Sequence, residues 1–209
     1  GSYSILASSV IGANSIAYEP VPKTYEQLIE NVKLNQIEEK VRCKNVAVGD
    51  KIGILEFSDQ KVTALNHVLV EKEKTSNKIL VNMTTLDETI SKEMPNLLKI
   101  DVEGFEYAVL KGATSVLKKS SLYSIIIEIN ELGSRYGFSE LMVLDFLSQF
   151  GFRPVIYDPF LRKISIIEGY NQNSKNTIFI RDIKSINRKI KNAQKYKIFG
   201  KEFWELKRK

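Results

Sequence analysis

Ten residues, Leu97-Leu98-Lys99-Ile100-Asp101-Val102-Glu103-Gly104-Phe105-Glu106, constrain the fold of this chain more than any other stretch. Leu97 to Ile100 is a short, mainly apolar run entered from Pro95-Asn96 and left at Gly104, the pattern of a buried strand. Asp101 and Glu103 follow at alternate positions. Phe105, Val109, Leu110, Ala113, Val116 and Leu117 then recur at helical spacing. A buried parallel strand is therefore expected to deliver two acids at its carboxyl end, with a helix carrying the chain back. Open α/β sheets bind their ligands at that edge. Two roles are open to the acids: chemistry at the edge, or capping of the helix, whose N-terminus favours negative charge.

The chain has 209 residues, which suits one domain over 1–209 that ends in a basic helix and tail over 183–209. Its formal charge is +6, but 24 Lys stand against 7 Arg. Specific readers of phosphate and nucleic acid lean on Arg, so most of the basicity reads as solvated surface and no nucleic-acid partner is expected. The segment from Arg181 to Lys209 carries the net excess and is the candidate for weak contact with an anionic surface. A lone cysteine, Cys43, excludes an intrachain disulfide and suits a reducing cytoplasm. No apolar run approaches membrane-spanning length, and no signal-peptide pattern opens the chain.

Taken in order, Ser4 to Ile11 reads as the second half of a helix begun near Gly1, and Gly12-Ala13-Asn14 breaks it. Ser15 to Tyr18 is a short strand that Pro20 ends, with Glu19 at its tip. Thr24-Tyr25-Glu26-Gln27 matches a capping box before a helix facing inward with Tyr25, Leu28, Ile29 and Val32. Val41 to Val48 is the next strand, and Gly53 to Phe57 with Lys78 to Met83 read as a hairpin. Between them the polar stretch Ser58 to Asn77 reads as a loop or lid. Thr85 to Glu88 starts a short turn or helix, Leu122 to Ile129 is a strongly apolar strand, and Ser139-Glu140 caps a helix with Leu141, Leu144 and Leu147 inward and Gly151 as its stop. Arg153 to Tyr157, Lys163 to Ile167 and Thr177 to Arg181 are too close for crossover helices, so an antiparallel meander is expected. Ile183, Ile186, Ile190 and Ala193 mark a basic amphipathic helix. The fold class is α/β, a mostly parallel sheet with an antiparallel C-terminal edge.

Several short motifs come in a fixed order. They are Gly1-Ser2-Tyr3-Ser4, Tyr18-Glu19-Pro20 with Pro22, Asn31-Val32-Lys33-Leu34-Asn35, Ala47-Val48-Gly49-Asp50, the block Lys99 to Glu106, Leu110-Lys111-Gly112-Ala113 and Ile127-Glu128. Together they resemble the FkbM family of S-adenosylmethionine-dependent methyltransferases over nearly the whole chain, with the Lys99 to Glu106 block the most specific. The resemblance implies a class I methyltransferase (Rossmann-like) fold that binds S-adenosyl-L-methionine over the carboxyl ends of its first strands. It also implies methyl transfer to a hydroxyl oxygen on a sugar, glycan or natural product. Carried over by position, Glu19 holds the cofactor ribose, Gly1 is the last glycine of the cofactor loop, and Asp101 lies near the reacting methyl. The family's first strand and most of its Asp-x-Gly-Ala-Asn-x-Gly loop belong before Gly1, so the sequence is expected to be a fragment lacking them. Gly12-Ala13-Asn14 does not replace that loop, because four residues separate it from Glu19 and no helix fits between.

A neutral alcohol attacks poorly, so a base must take its proton as the new bond forms. Asp101 is the first candidate and Glu103 the second. The third is His67, which also reads as a surface loop histidine. No metal is expected: one His and one Cys cannot build a zinc site, and the resemblance does not support magnesium at the oxygens of Asp101, Glu128 and Asn130. The other readings are a non-catalytic nucleotide- or glycan-binding or scaffold domain of the same fold, and a dehydrogenase built on Tyr107-x-x-x-Lys111. The dehydrogenase lacks its glycine-rich fingerprint.

Overall fold

A computed structural model describes residues 1–59, 66–70, 73 and 77–193, together with the backbone of 197–198 and 201–202. Within these the chain forms two compact units: 1–91 with 108–113, and 92–107 with 114–209.

The first unit opens with α1 (Ser2–Ile5), which runs on as a π-helical stretch, Leu6–Val10. Strand β1 (Ser15–Tyr18) then pairs in parallel with β2 (Val41–Lys44), Ser15 opposite Val41, as a two-stranded sheet. Helix α2 (Pro22–Leu34) connects them and buries Leu28 and Val32 with Ile37 and Val41. The expected capping box does not form. Pro22 occupies the first turn, where a missing N–H costs nothing, so the helix begins ahead of Thr24. Val21 takes the cap position, and Thr24 Oγ1 is left buried with no hydrogen bond among the described residues.

The strand expected over Val41 to Val48 is two strands in two sheets. Strand β3 (Ala47–Val48) pairs in parallel with β5 (Lys78–Thr84), and β4 (Gly53–Ser58) pairs with β5 antiparallel as the expected hairpin. Thr85 Oγ1 accepts from Glu88 N and caps α3 (Leu86–Thr89). Tyr18 and Thr89 share a 2.8 Å hydroxyl hydrogen bond.

The second unit holds a five-stranded sheet in the order β6 (Leu97–Ile100), β7 (Ser124–Glu128), β10 (Asn176–Ile180), β8 (Arg153–Asp158), β9 (Lys163–Ile166). Only β6 and β7 run parallel in it. The sheet expected to be mostly parallel is therefore parallel at β1–β2, β3–β5 and β6–β7 and antiparallel at the other described strand pairs; a short connection such as β8–β9 can only reverse the chain. Nor is the C-terminal part a simple meander. Strand β10 lies between β7 and β8, with Thr177 and Phe179 fully buried.

The helix expected after Gly104 is two, α4 (Glu106–Lys111) and α5 (Thr114–Lys118), broken at Gly112-Ala113. Ser139 Oγ caps α6 (Glu140–Gln149) through Met142 N, and Gly151 ends it at φ +79°. The buried face of α6 is Val143 and Leu147, whereas Leu141, expected inside, is exposed. Helix α7 (Ile183–Asn192), capped by Asp182, packs Ile183, Ile186 and Ile190 on Val155, Ile164 and Ile180. Two residue pairs, β11 (Lys197–Ile198) and β12 (Lys201–Glu202), form a backbone hairpin. Of the basic segment expected to touch an anionic surface, residues 194–196, 199–200 and 203–209 lie outside the described residues. Among those described, no helix is long and apolar enough to cross a membrane.

Candidate active site

Strands β6 and β7 end side by side, Ile100 opposite Ile127, and this register brings their terminal acids together. Asp101, Glu103 and Glu128 each place a carboxylate oxygen within 4.8 Å of the others. The turn that presents the first two is tightly specified. Glu103 has φ +53° and Gly104 φ +99°. A Cβ at Gly104 would sit 2.6 Å from the carbonyl oxygen of Leu132, so only glycine fits. Glu106, 5% exposed, reaches back from α4, and its Oε1 accepts from Val102 N at 3.1 Å and Gly104 N at 3.2 Å. Phe105 stacks edge-on against Tyr136, with ring centroids 5.0 Å apart, and Tyr107 packs on Phe138 and Phe146. The sequence motif is thus a turn held by its own second glutamate and wedged by aromatic rings.

The charges in this cluster are unevenly balanced. Lys99 Nζ reaches Asp101 Oδ2 at 2.9 Å. Glu128 is 9% exposed and takes a 2.9 Å hydrogen bond at Oε2 from Asn130 Nδ2. Burial, followed by the charges of Asp101 and Glu103, pushes its carboxyl up to about 7. Burial also raises Glu106, against the pull of the backbone N–H groups it accepts from. Glu128 and Glu106 line a pocket of about 20 Å³, the room of one water. Its wall Ile129-Asn130-Glu131 continues into a pocket of about 230 Å³ that Tyr170, Asn171 and Lys175 also line.

Of the acids singled out in the sequence, Asp101 and Glu103 meet here. His67 belongs to the first unit, where it is 9% exposed rather than a surface histidine. Its backbone N donates to Ser58 Oγ, and its Nε2 lies 3.4 Å from Glu73 Oε2. Glu19 ends β1 as expected: its Oε1 accepts from Val21 N at 3.0 Å, and burial raises its carboxyl. Gly1 is the N-cap of α1, and a Cβ there would meet Leu28 Cδ1 at 2.6 Å. The Tyr107 and Lys111 pair is otherwise employed, Tyr107 in the aromatic cluster and Lys111 in an ion pair with Asp50 at 2.7 Å. Sequence reasoning gave no catalytic or positioning role to Glu106 or Glu128. Glu128 carries the same signal as Asp101, an acid closing an apolar strand. Glu106 sits three residues after Glu103 at the start of a helix.

A model of the methyltransferase FkbM domain matches residues 5–154. The chain belongs to the FkbM methyltransferase family. The hexuronic acid methyltransferase AglP of Haloferax volcanii is 30% identical to this FkbM chain over 118 residues, 56% of the chain and 48% of AglP. The crystal structure of a methyltransferase FkbM from Methylobacillus flagellatus superposes with a TM-score of 0.54 at 12% identity, covering 86% of this chain and 40% of that one. That likeness shows the mixed α/β fold. The chain spans about half the length of the curated relative it matches and less of the solved one.

Proposed function

We propose that this FkbM chain has the class I methyltransferase arrangement and transfers a methyl group from S-adenosyl-L-methionine to a hydroxyl oxygen of a sugar or glycan. The observation that carries the reading is the packed carboxylate cluster of Asp101, Glu103 and Glu128 at the ends of two parallel strands, within the stretch the family model matches. Glu19 fits the cofactor's ribose. One of its oxygens is held by Val21 N, and the half-buried carboxylate, its charge disfavoured by burial, gains from accepting ribose hydroxyls. Gly1 is assigned to the cofactor loop on its position at the cap of α1. The bound cofactor supplies an activated methyl group. The chain's own residues hold the acceptor in line and take its proton, with Asp101 and Glu103 the acids nearest the reacting methyl and His67 third.

AglP acts on a hexuronic acid, and the amide, phenol and ammonium groups around the 230 Å³ pocket suit a hydroxyl-rich acceptor of that kind. A cytoplasmic location fits the free thiol of Cys43. Calorimetric titration with S-adenosylmethionine tests the reading, followed by methyl transfer to glucuronic acid. Glu19→Ala is expected to weaken cofactor affinity by about 1–3 kcal/mol, the scale of hydrogen bonds to a charged group. Asp101→Asn should bind normally and lose turnover. Normal cofactor binding by Glu19→Ala would remove the ribose assignment.

A further inference from the structure

We propose that Glu128, with a carboxylate oxygen within 4.8 Å of those of Asp101 and Glu103, is the group that takes the acceptor's hydroxyl proton. The assignment rests on the methyltransferase reading and refines it, because it moves the base from Asp101 to its neighbour.

The argument begins with how the two acids are engaged. Asp101 has Oδ2 bound by the Lys99 ammonium and a carboxylate oxygen within 4.8 Å of one of Glu128. It is also the more exposed of the two, so water solvates its charge. Glu128 is nine-tenths buried at the end of a central strand, where Asn176 of β10 pairs with it on the far side. Asn130 Nδ2 orients it through Oε2, and Asn130 Oδ1 is itself fixed by Leu132 N at 3.3 Å. A buried carboxyl held in one orientation and lining a water-sized pocket is placed to receive a proton directly or through one water. That pocket shares the lining residues Ile129, Asn130 and Glu131 with the larger one.

The groups facing Glu128 decide when it is a base. Asp101 and Glu103 come from the end of β6 and Glu106 from α4, and all three are acids that act against its charge. Glu131 and Glu140 line the same pocket, and Lys99 spends its charge on Asp101. Neighbouring carboxyls disfavour each other's charge, so the pair favours holding one proton. Near neutrality Glu128 can release that proton and take another. In the reaction the acceptor oxygen bonds to the methyl carbon as the carbon–sulfur bond breaks, and the bonding pair stays on sulfur. The hydroxyl proton passes to Glu128, which later returns it to solvent.

Two readouts test the assignment on the full chain. Infrared difference spectra need no acceptor: wild type should show a carboxyl band that titrates near neutrality and is missing in Glu128→Gln. Asp101→Asn removes a negative neighbour and should lower that midpoint by about one unit or more. A Glu128 carboxyl that stays ionised well into acid would overturn the proposal. So would calorimetric binding of Mg²⁺ that Glu128→Gln abolishes, since a cation would hold the carboxylate charged. With S-adenosylmethionine and glucuronic acid, Glu128→Gln should lower kcat about 100-fold or more, erase the acid limb of the pH–rate profile and leave cofactor affinity unchanged. Turnover close to wild type with cofactor bound would return the base to Asp101. If wild type extended upstream to include the cofactor loop binds no S-adenosylmethionine, the methyltransferase reading fails and the base assignment falls with it. If it binds the cofactor but leaves glucuronic acid unmethylated, only the choice of acceptor fails, and the titration decides Glu128.

Discussion

Glu128 shows at a single residue how function and stability pull apart. Its carboxyl is raised from 4.5 to about 7, so the folded state holds the proton more tightly than the unfolded chain. The stabilising contribution is complete below the unfolded value and is lost as pH rises through the folded one. Above neutrality the buried charge then costs up to about 3 kcal/mol, from the size of the shift. Glu106, raised in the same direction, adds to the slope. Glu128→Gln removes this titration while keeping the shape. Its urea midpoint should exceed wild type on the alkaline side of neutrality and approach it in mild acid. An equal difference at both ends would mean that the carboxyl does not titrate in this range. Position alone marked Asp101 and Glu103 in the sequence. The cluster's charge balance was not legible there, because it depends on the β6–β7 register and on Lys99 folding onto Asp101.

Among the elements, those written in local chemistry could be read directly: β1 over Ser15–Tyr18, the β4–β5 hairpin, the Ser139 cap and the isoleucine face of α7. The misread ones answer to distant partners. Strand β10 takes a central place, which hairpin logic cannot foresee, since chain proximity favours β9 and burial decides otherwise. The helix after Gly104 breaks because Gly112 backs directly onto the Gly49 carbonyl, while its own carbonyl accepts from Asp87 N at 3.0 Å. This explains two motifs at once, Val48-Gly49-Asp50 and Lys111-Gly112-Ala113, which are also clasped by the Lys111–Asp50 ion pair. Gly112→Ala would drive a methyl into that carbonyl and against Thr85 Cβ at 3.2 Å. It should destabilise by about 1–3 kcal/mol, the range for overpacking, read as a lower denaturant midpoint. Gly53→Ala, with open space at its Cβ, serves as the control. Equal effects would show that Gly112 is not a close contact.

For the whole molecule, ligand linkage separates the functional readings without knowledge of the acceptor. A ligand that binds only the native state adds RT ln(1 + [L]/Kd), about 2.7 kcal/mol at a hundredfold excess over Kd. For a chain of this size each kcal/mol moves the midpoint by about 2–4 °C, so saturating S-adenosylmethionine should raise Tm by roughly 5–10 °C. NAD should not, because Tyr107 and Lys111 are engaged elsewhere and no dinucleotide fingerprint precedes a helix. On the proposed ribose role, Glu19→Ala should lose most of the shift at the same ligand concentration. Asp101→Asn should keep it on the proposed assignment of that acid to the acceptor side. Full protection of both variants would detach Glu19 from the cofactor. Protection by NAD alone would sink the methyltransferase assignment, and protection by neither ligand in a chain extended upstream to include the cofactor loop would favour a binding or scaffold role for this fold.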